Sequence, residues 1–355
     1  LMSGNIKFRW FLLALIVVAL LVVVSSPAVY SQENNIEVLE RKLQEQPKNI
    51  EILFKLGIEY RISKRYQDAL RVLASVKEKS PNNWEVRSEI ALSYFANAQY
   101  EESLEEGKVA NQLAPNEVLP LLILGDNYFQ LGKYEKCVVE YEKALSMNPD
   151  NPATIYFPLG SAYFQLRRND DAIKAFKIYI SAYPDNIDSH FNLGLAFSVA
   201  QKNKDAIKEY EKVLKIDPSV IKARYWLGKE YRIARKYRKA IEQLKLFLDD
   251  QSNNPNAVTE YIIDANFELA KALKFSMNFE EAILRFKKVL KLDPKAHKAR
   301  LLLGITFVDS GKIEKGIDEI KSYIRVDGSN PWPHHELGRA LTLSKEFKKA
   351  LKHFK

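Results

Sequence analysis

Cysteine is nearly absent. One residue, Cys137, in a chain of 355 excludes an internal disulfide framework and any cysteine-rich zinc module, and leaves only an intermolecular bond open. Histidine is scarce as well. None of the five, His190, His297, His334, His335 and His353, forms an i, i+4 pair with another, and the adjacent His334 and His335 point to different sides of a helix. There is no phosphate-binding glycine loop, and no Cys or Ser stands in register with a histidine. The expectation is therefore no catalytic residue, no metal site and no cofactor. Strand-like alternation is missing too, since every periodic segment has the helix period.

Long apolar runs are limited to one, Trp10 to Val24, which follows Lys7 and Arg9 and precedes SSPAVYSQ. That is the layout of a secretory signal peptide over residues 1–31, with cleavage expected after Ala28 or Ser31. A helix of this run measures roughly 22 Å against a hydrocarbon core of about 30 Å, so it is short for a permanent anchor. The alternative is an uncleaved anchor reaching Tyr30. Either way, cations before the run place the rest outside the cytoplasmic membrane, periplasmic or secreted.

The net charge of +9 is uneven. Gln32 to Asp150 holds 15 Lys+Arg against 20 Asp+Glu, whereas Asn151 to Lys355 holds 37 against 25. The second part favours acidic partners.

What is present in quantity is a repeat. LGIEY at Leu56 returns as IALSY, LGDNY, LGSAY, LGLAF, LGKEY, LAKAL, LGITF and LGRAL, ending at Leu337. The small residues Gly57, Ala91, Gly125, Gly160, Gly194, Gly228, Ala270, Gly304 and Gly338 lie 34, 34, 35, 34, 34, 42, 34 and 34 residues apart. Repeat three adds Cys137, Tyr141, Ala144 and Pro149 in register, and repeat five adds Ala206, Tyr210 and Pro218. From Ile50 to Lys355 this resembles the tetratricopeptide repeat. The resemblance implies an all-α, right-handed superhelical solenoid of stacked helix-turn-helix units.

The physics agrees. A glycine inside a helix costs about 1 kcal/mol relative to alanine, so something must offset seven of them at one repeat position. Close approach of two helices does, and a second small position twelve residues on (Ala69, Ser103, Cys137, Ala172, Ala206) is expected to supply the contact. Cys137 is accordingly a buried, inert thiol. Prolines such as Pro81 and Pro218 separate repeats, and Gly132 and Gly311 mark turns within them. The expected organisation is a capping helix in 32–49 with Ile36, Leu39 and Leu43 on one face, repeats one to six in 50–254, an insertion loop at 255–262, and repeats seven to nine in 263–355. Asp249 to Tyr261 reads as a lengthened loop or a seam between sub-arrays. Repeat nine breaks off at KALKHFK, after which further chain is expected.

The resemblance also implies where a ligand binds, at the second, fifth, ninth, twelfth and thirteenth positions of first helices. The fifth position holds Phe54, Phe157, Phe191, Tyr225 and Phe267, and the twelfth Phe95, Phe129 and Phe164. In repeats six and seven the wall becomes basic, with Lys229, Arg232, Lys271 and Lys274. The asparagines with which related clamps hold acidic chaperone tails are missing from the ninth position, which carries Ile58, Leu92, Asp126, Ser161 and Leu195 in the first five repeats. The expected partner is a protein or peptide with apolar residues followed by acidic ones, with no nucleic acid and with membrane contact only through residues 10–30 if uncleaved. RKYRKA at Arg235 and RFKKVLK at Arg285 are expected on outward second helices. The leading reading is an exported, non-enzymatic scaffold or adaptor in an envelope assembly or export system. Two others stand beside it: the substrate-docking region of an enzyme such as a glycosyltransferase, and part of an outer-membrane polysaccharide export protein.

Overall fold

The computed structural model describes residues 28–252, 254 and 258–353, all of whose regular elements are helices. Residues 1–27 of the expected leader 1–31 lie outside the described residues, and its last four, from Ala28, are helical. A first helix, α1 (Ala28–Glu45), precedes nine pairs. The pairs are α2 (Ile50–Ile62) with α3 (Tyr66–Lys79), α4 (Trp84–Ala96) with α5 (Tyr100–Leu113), and α6 (Val118–Gln130) with α7 (Tyr134–Ser146). Then come α8 (Ala153–Gln165) with α9 (Asn169–Ala182), α10 (Ile187–Val199) with α11 (Asn203–Ile216), and α12 (Ile221–Ile233) with α13 (Tyr237–Ser252). The last are α14 (Thr259–Phe275) with α15 (Phe279–Leu292), α16 (His297–Asp309) with α17 (Ile313–Ile324), and α18 (Pro331–Leu343) with α19 (Phe347–His353).

Each hairpin begins and turns for a local reason. Asn49, Asn83 and Asn330 cap first helices, their side chains accepting from backbone N–H groups two or three residues on. Between the helices of every pair lies a residue with positive φ: Lys64, Ala98, Gly132, Arg167, Gln201, Arg235, Met277, Gly311 and Lys345. The next N–H reaches back five residues, as from Arg65 to the Tyr60 carbonyl at 2.8 Å and from Lys312 to the Phe307 carbonyl at 2.8 Å. This is the Schellman closure, and only two of its nine copies use glycine.

The glycines inside first helices make room chiefly for the side chain sixteen residues on. A Cβ at Gly125 or Gly194 falls 2.7 Å from the ring of Tyr141 or Tyr210, and one at Gly57 falls 2.6 Å from Leu73. The small position twelve residues on packs beside it, where Ser103 Oγ donates to the Ala91 carbonyl at 2.7 Å. Cys137 is fully buried there, and burial together with the neighbouring Asp126 carboxylate pushes its thiol pKa upward.

The chain divides into two compact units, Leu1–Ser189 and His190–Lys355. In the first, Ile36 of α1 packs with Leu56, Tyr60 and Ala69, with Leu39 and Leu43 alongside, so α1 covers the end of repeat one. Leu73, Val76, Val86 and Ile90 then join repeat one to repeat two. In the second unit, Leu244, Phe247 and Leu248 of α13 pack with Ala265, Leu269 and Leu273 of α14. Of the insertion loop expected at 255–262, residues 255–257 lie outside the described residues, Val258 is not helical, and Thr259 onward belongs to α14. The extra residues lengthen α13 to 16 and α14 to 17, and Thr259 to Ile262 are helical. Both lengthened helices bury apolar side chains against each other.

Candidate ligand-binding wall

First helices of successive repeats touch directly: α2 with α4, α4 with α6, and α6 with α8 in one unit, and α12 with α14 and α16 with α18 in the other. Second helices of successive repeats have at most marginal contact. First helices therefore form the closer-spaced, inner wall of each unit.

Three of the five fifth-position aromatics are interior and do not line that wall. Phe191 is 0% exposed and packs on Tyr210, with ring centroids 5.7 Å apart. Tyr225 is 4% exposed, within 5.3 Å of Trp226, Phe247 and Tyr261. Phe157 is buried against Phe176 and Tyr179. Phe54 and Phe267 are half-buried against the cores that join their repeats to the next. At Phe157, Phe191 and Tyr225 the position faces the second helix, so these three rings are interior. The twelfth position is nearer the surface. Phe95 and Phe164 are half-buried, whereas Phe129 is buried, and Phe95 and Phe129 meet Tyr100 and Tyr134 edge-on.

The cations are on the wall, but they are not free. Lys229 Nζ donates to Asp264 at 2.9 Å and to the Tyr225 hydroxyl at 3.0 Å. Arg232 and Lys271 both pair with Glu268, whose side chain is 7% exposed. Lys274 and Arg339 share Asp309, at 2.8 and 2.9 Å. The basic wall expected in repeats six and seven is thus ion-paired, three acids being shared among Lys229, Arg232, Lys271, Lys274 and Arg339. Where α14 is lengthened, a cleft of about 240 Å³ opens beside this ladder, lined by Ile263, Asp264, Phe267, Asp293 and Lys298 among others.

Comparison with known proteins bears on the repeat itself. A profile described as TPR repeat matches residues 125–167, and one described as tetratricopeptide repeat matches 157–221 and 267–331. The C-terminal part of a TPR repeat-containing protein from Cytophaga hutchinsonii superposes with a TM-score of 0.56 at 17% identity, covering 69% of this chain and 97% of that one. The chain carries tetratricopeptide (TPR) repeats over 125–221 and 267–331. Smaller matches include MamA from Desulfovibrio magneticus RS-1, with a TM-score of 0.46 at 20% identity over 48% of this chain and 97% of that one. YrrB, described as a TPR protein with an unusual peptide-binding site, gives 0.47 at 19% over 51% and 93%. No curated protein matches the chain.

The TPR wall holds residues that the reading by fifth and twelfth positions passes over. At the thirteenth position Val199, Ile233, Phe275 and Leu343 are exposed in the second unit and Ile62 in the first. Their signal was an apolar residue at one fixed repeat position. At the ninth position of TPR three, Asp126 accepts from the Tyr141 hydroxyl, and burial pushes its carboxyl pKa up to about 6 against the lowering effect of that bond. His334 and His353, nineteen residues apart, stack with Nδ1 atoms 3.1 Å from each other. Among the described residues no group of three or more His, Cys, Asp or Glu side chains is placed to hold a metal ion. None of the described helices is long and apolar enough to cross a membrane.

Proposed function

We propose that this TPR protein is a non-enzymatic scaffold that holds an extended segment of another protein along its first-helix wall, as an adaptor in an envelope assembly or export system. The observation that carries the reading is the exposed series Val199, Ile233 and Phe275, one side chain per TPR, set between ion-paired polar residues. Such a wall offers side-chain pockets at a fixed spacing with polar groups between them, which suits an extended peptide. Because Asp264, Glu268 and Asp309 already pair with the cations, acidic ligand residues compete with them. Apolar side chains therefore supply most of the affinity, and charge sets register and direction. The exported location rests on the apolar run after Lys7 and Arg9 and on the cations that precede it.

A photo-crosslinking residue at Val199 tests the reading against one at Lys208, on α11. A defined partner captured from Val199 and not from Lys208, and released about tenfold faster by the full chain carrying Val199→Asp, is the expected result. Equal capture at both positions overturns the assignment to the wall.

A further inference from the structure

The turn of repeat six differs from the other eight. Ala234–Ala240 holds Arg235, Lys236, Arg238 and Lys239 and no acid, whereas each of the other turns carries at least one Asp or Glu over the same positions. In repeats one and four the turn arginine is held by the acid three residues on, Arg65 by Asp68 and Arg168 by Asp171. Repeat six puts Lys239 at that point. Lys236 and Lys239 instead gather over one ring, that of Tyr231, at 5.7 and 5.4 Å from its centroid, and its hydroxyl donates to Glu211. All four cations are exposed.

Apolar side chains stand against them. Phe275, 55% exposed, stacks on Tyr237, in the middle of the cationic run, at 5.4 Å and 14°. Met277, at the left-handed position of the turn of repeat seven, is 78% exposed. The acids that follow it are taken: Glu280 by Lys312 at 2.6 Å, and Glu281 by Lys245 at 2.9 Å. Repeats six and seven thus present, at their turns, exposed cations around two protruding, insertable side chains, Phe275 at the end of the first-helix wall and Met277 just past it.

We propose that this edge of the second unit docks on an anionic lipid surface, with Phe275 and Met277 entering the interface and Arg235, Lys236, Arg238 and Lys239 facing the headgroups. Apolar side chains beside cations are what interfacial binding uses, and each cation near an anionic leaflet adds about fivefold to affinity. Nucleic acid or an acidic protein would use the cations alone and leave Met277 without a role. This contact involves other residues than 10–30, the segment to which the expectation from the sequence confined membrane contact.

The test is flotation of the full chain with phosphatidylcholine vesicles and with vesicles containing three parts in ten phosphatidylglycerol, read as the ratio of the two affinities. The apolar run contributes alike to every variant. The wild type is expected to prefer anionic vesicles at least tenfold at ~0.1 M salt, and to lose the preference at ~0.5 M. Arg235→Glu with Arg238→Glu is expected to abolish the ratio, and Phe275→Ser with Met277→Ser to lower binding to anionic vesicles several-fold. Lys287→Glu with Lys288→Glu, an equal charge change on α15, and Val199→Asp on the wall are expected to leave it within twofold. A wild-type ratio near one overturns the proposal, as does an equal loss in the α15 control. Retention on immobilised polyglutamate that depends on Arg235 and Arg238, without a vesicle preference, overturns it in favour of an acidic protein segment.

Discussion

Repeats two and three of the first unit and repeats six to nine of the second tie successive first helices together by different chemistry. In the first unit, between repeats two and three, the tie is a neutral hydrogen-bond chain: Asn127 donates to Ser103 Oγ at 2.8 Å, and Ser103 to the Ala91 carbonyl. In the second, between repeats six and nine, it is a ladder of ion pairs through Asp264, Glu268 and Asp309. One backbone period therefore accommodates either solution. The difference also shows why regional net charge misleads: wall cations of the second part pair with acids on the same wall, while the turn of repeat six carries four cations and no acid.

The sharpest test contrasts positions that the sequence treats alike. Phe191→Ala is expected to destabilise the second unit by about 3 to 5 kcal/mol, because a fully enclosed ring leaves a cavity. Phe95→Ala in the first unit, at a half-buried position, is expected to cost about 1 kcal/mol. Urea unfolding followed by circular dichroism measures both, and similar losses would contradict the placement of the fifth position inside and the twelfth near the surface.

Next comes the ladder. Glu268→Gln leaves Arg232 and Lys271 without their carboxylate and is expected to cost about 3 kcal/mol. Glu89→Gln, which frees the more exposed partner Arg61 in the first unit, is expected to cost about 1 kcal/mol. Hydrogen exchange localises the two effects; a loss at Glu89 as large as that at Glu268 would mean that the units do not differ in their reliance on charge.

The turns should respond alike in both units. A Cβ at Gly311 meets nothing within 4 Å, so Gly311→Ala is expected to cost only the left-handed backbone penalty, about 1 to 2 kcal/mol, and Gly132→Ala the same. Thermal melts that show no change at either would remove the conformational argument.

The smallest expected effect depends on pH. The folded state of Asp126 binds its proton up to about pH 6, above the usual carboxylate range, so the group favours folding less and less as pH rises from about 4 to 6. Asp126→Asn, which keeps an acceptor for Tyr141, is expected to stabilise the first unit by about 1 kcal/mol at pH 7 and to have no effect near pH 4. A gain that is equal at both pH values would rule out ionisation as its cause.

The sequence made the repeat legible because a helix pair of fixed length must bring the same residues together each time. Gly57, Gly125 and Gly194, the capping face of Ile36, Leu39 and Leu43, and buried Cys137 all follow from that period. The wall was harder to read. Whether a fifth-position ring such as Phe191 or Tyr225 faces solvent depends on the tilt of the second helix, which spacing does not encode. Lys229 and Arg232 read as free charge because their partners, Asp264 and Glu268, lie a whole repeat away across the insertion. The left-handed turn residues carried no signal at all at Lys64, Arg167 or Met277, since the Schellman bonds there are made by backbone atoms.

Those backbone bonds have a consequence for how such a chain can change. A turn closed by main-chain atoms places no demand on the side chain it displays beyond tolerance of positive φ, so Lys64, Ala98, Gln201, Arg235 and Met277 occupy equivalent sites with unrelated chemistry. A mutation at such a site rewrites one patch of surface while leaving the packing of every helix intact. The array thus carries, once per repeat, a place where novelty can be tried without risk to the fold, and a new surface can spread by altering neighbouring turns in succession.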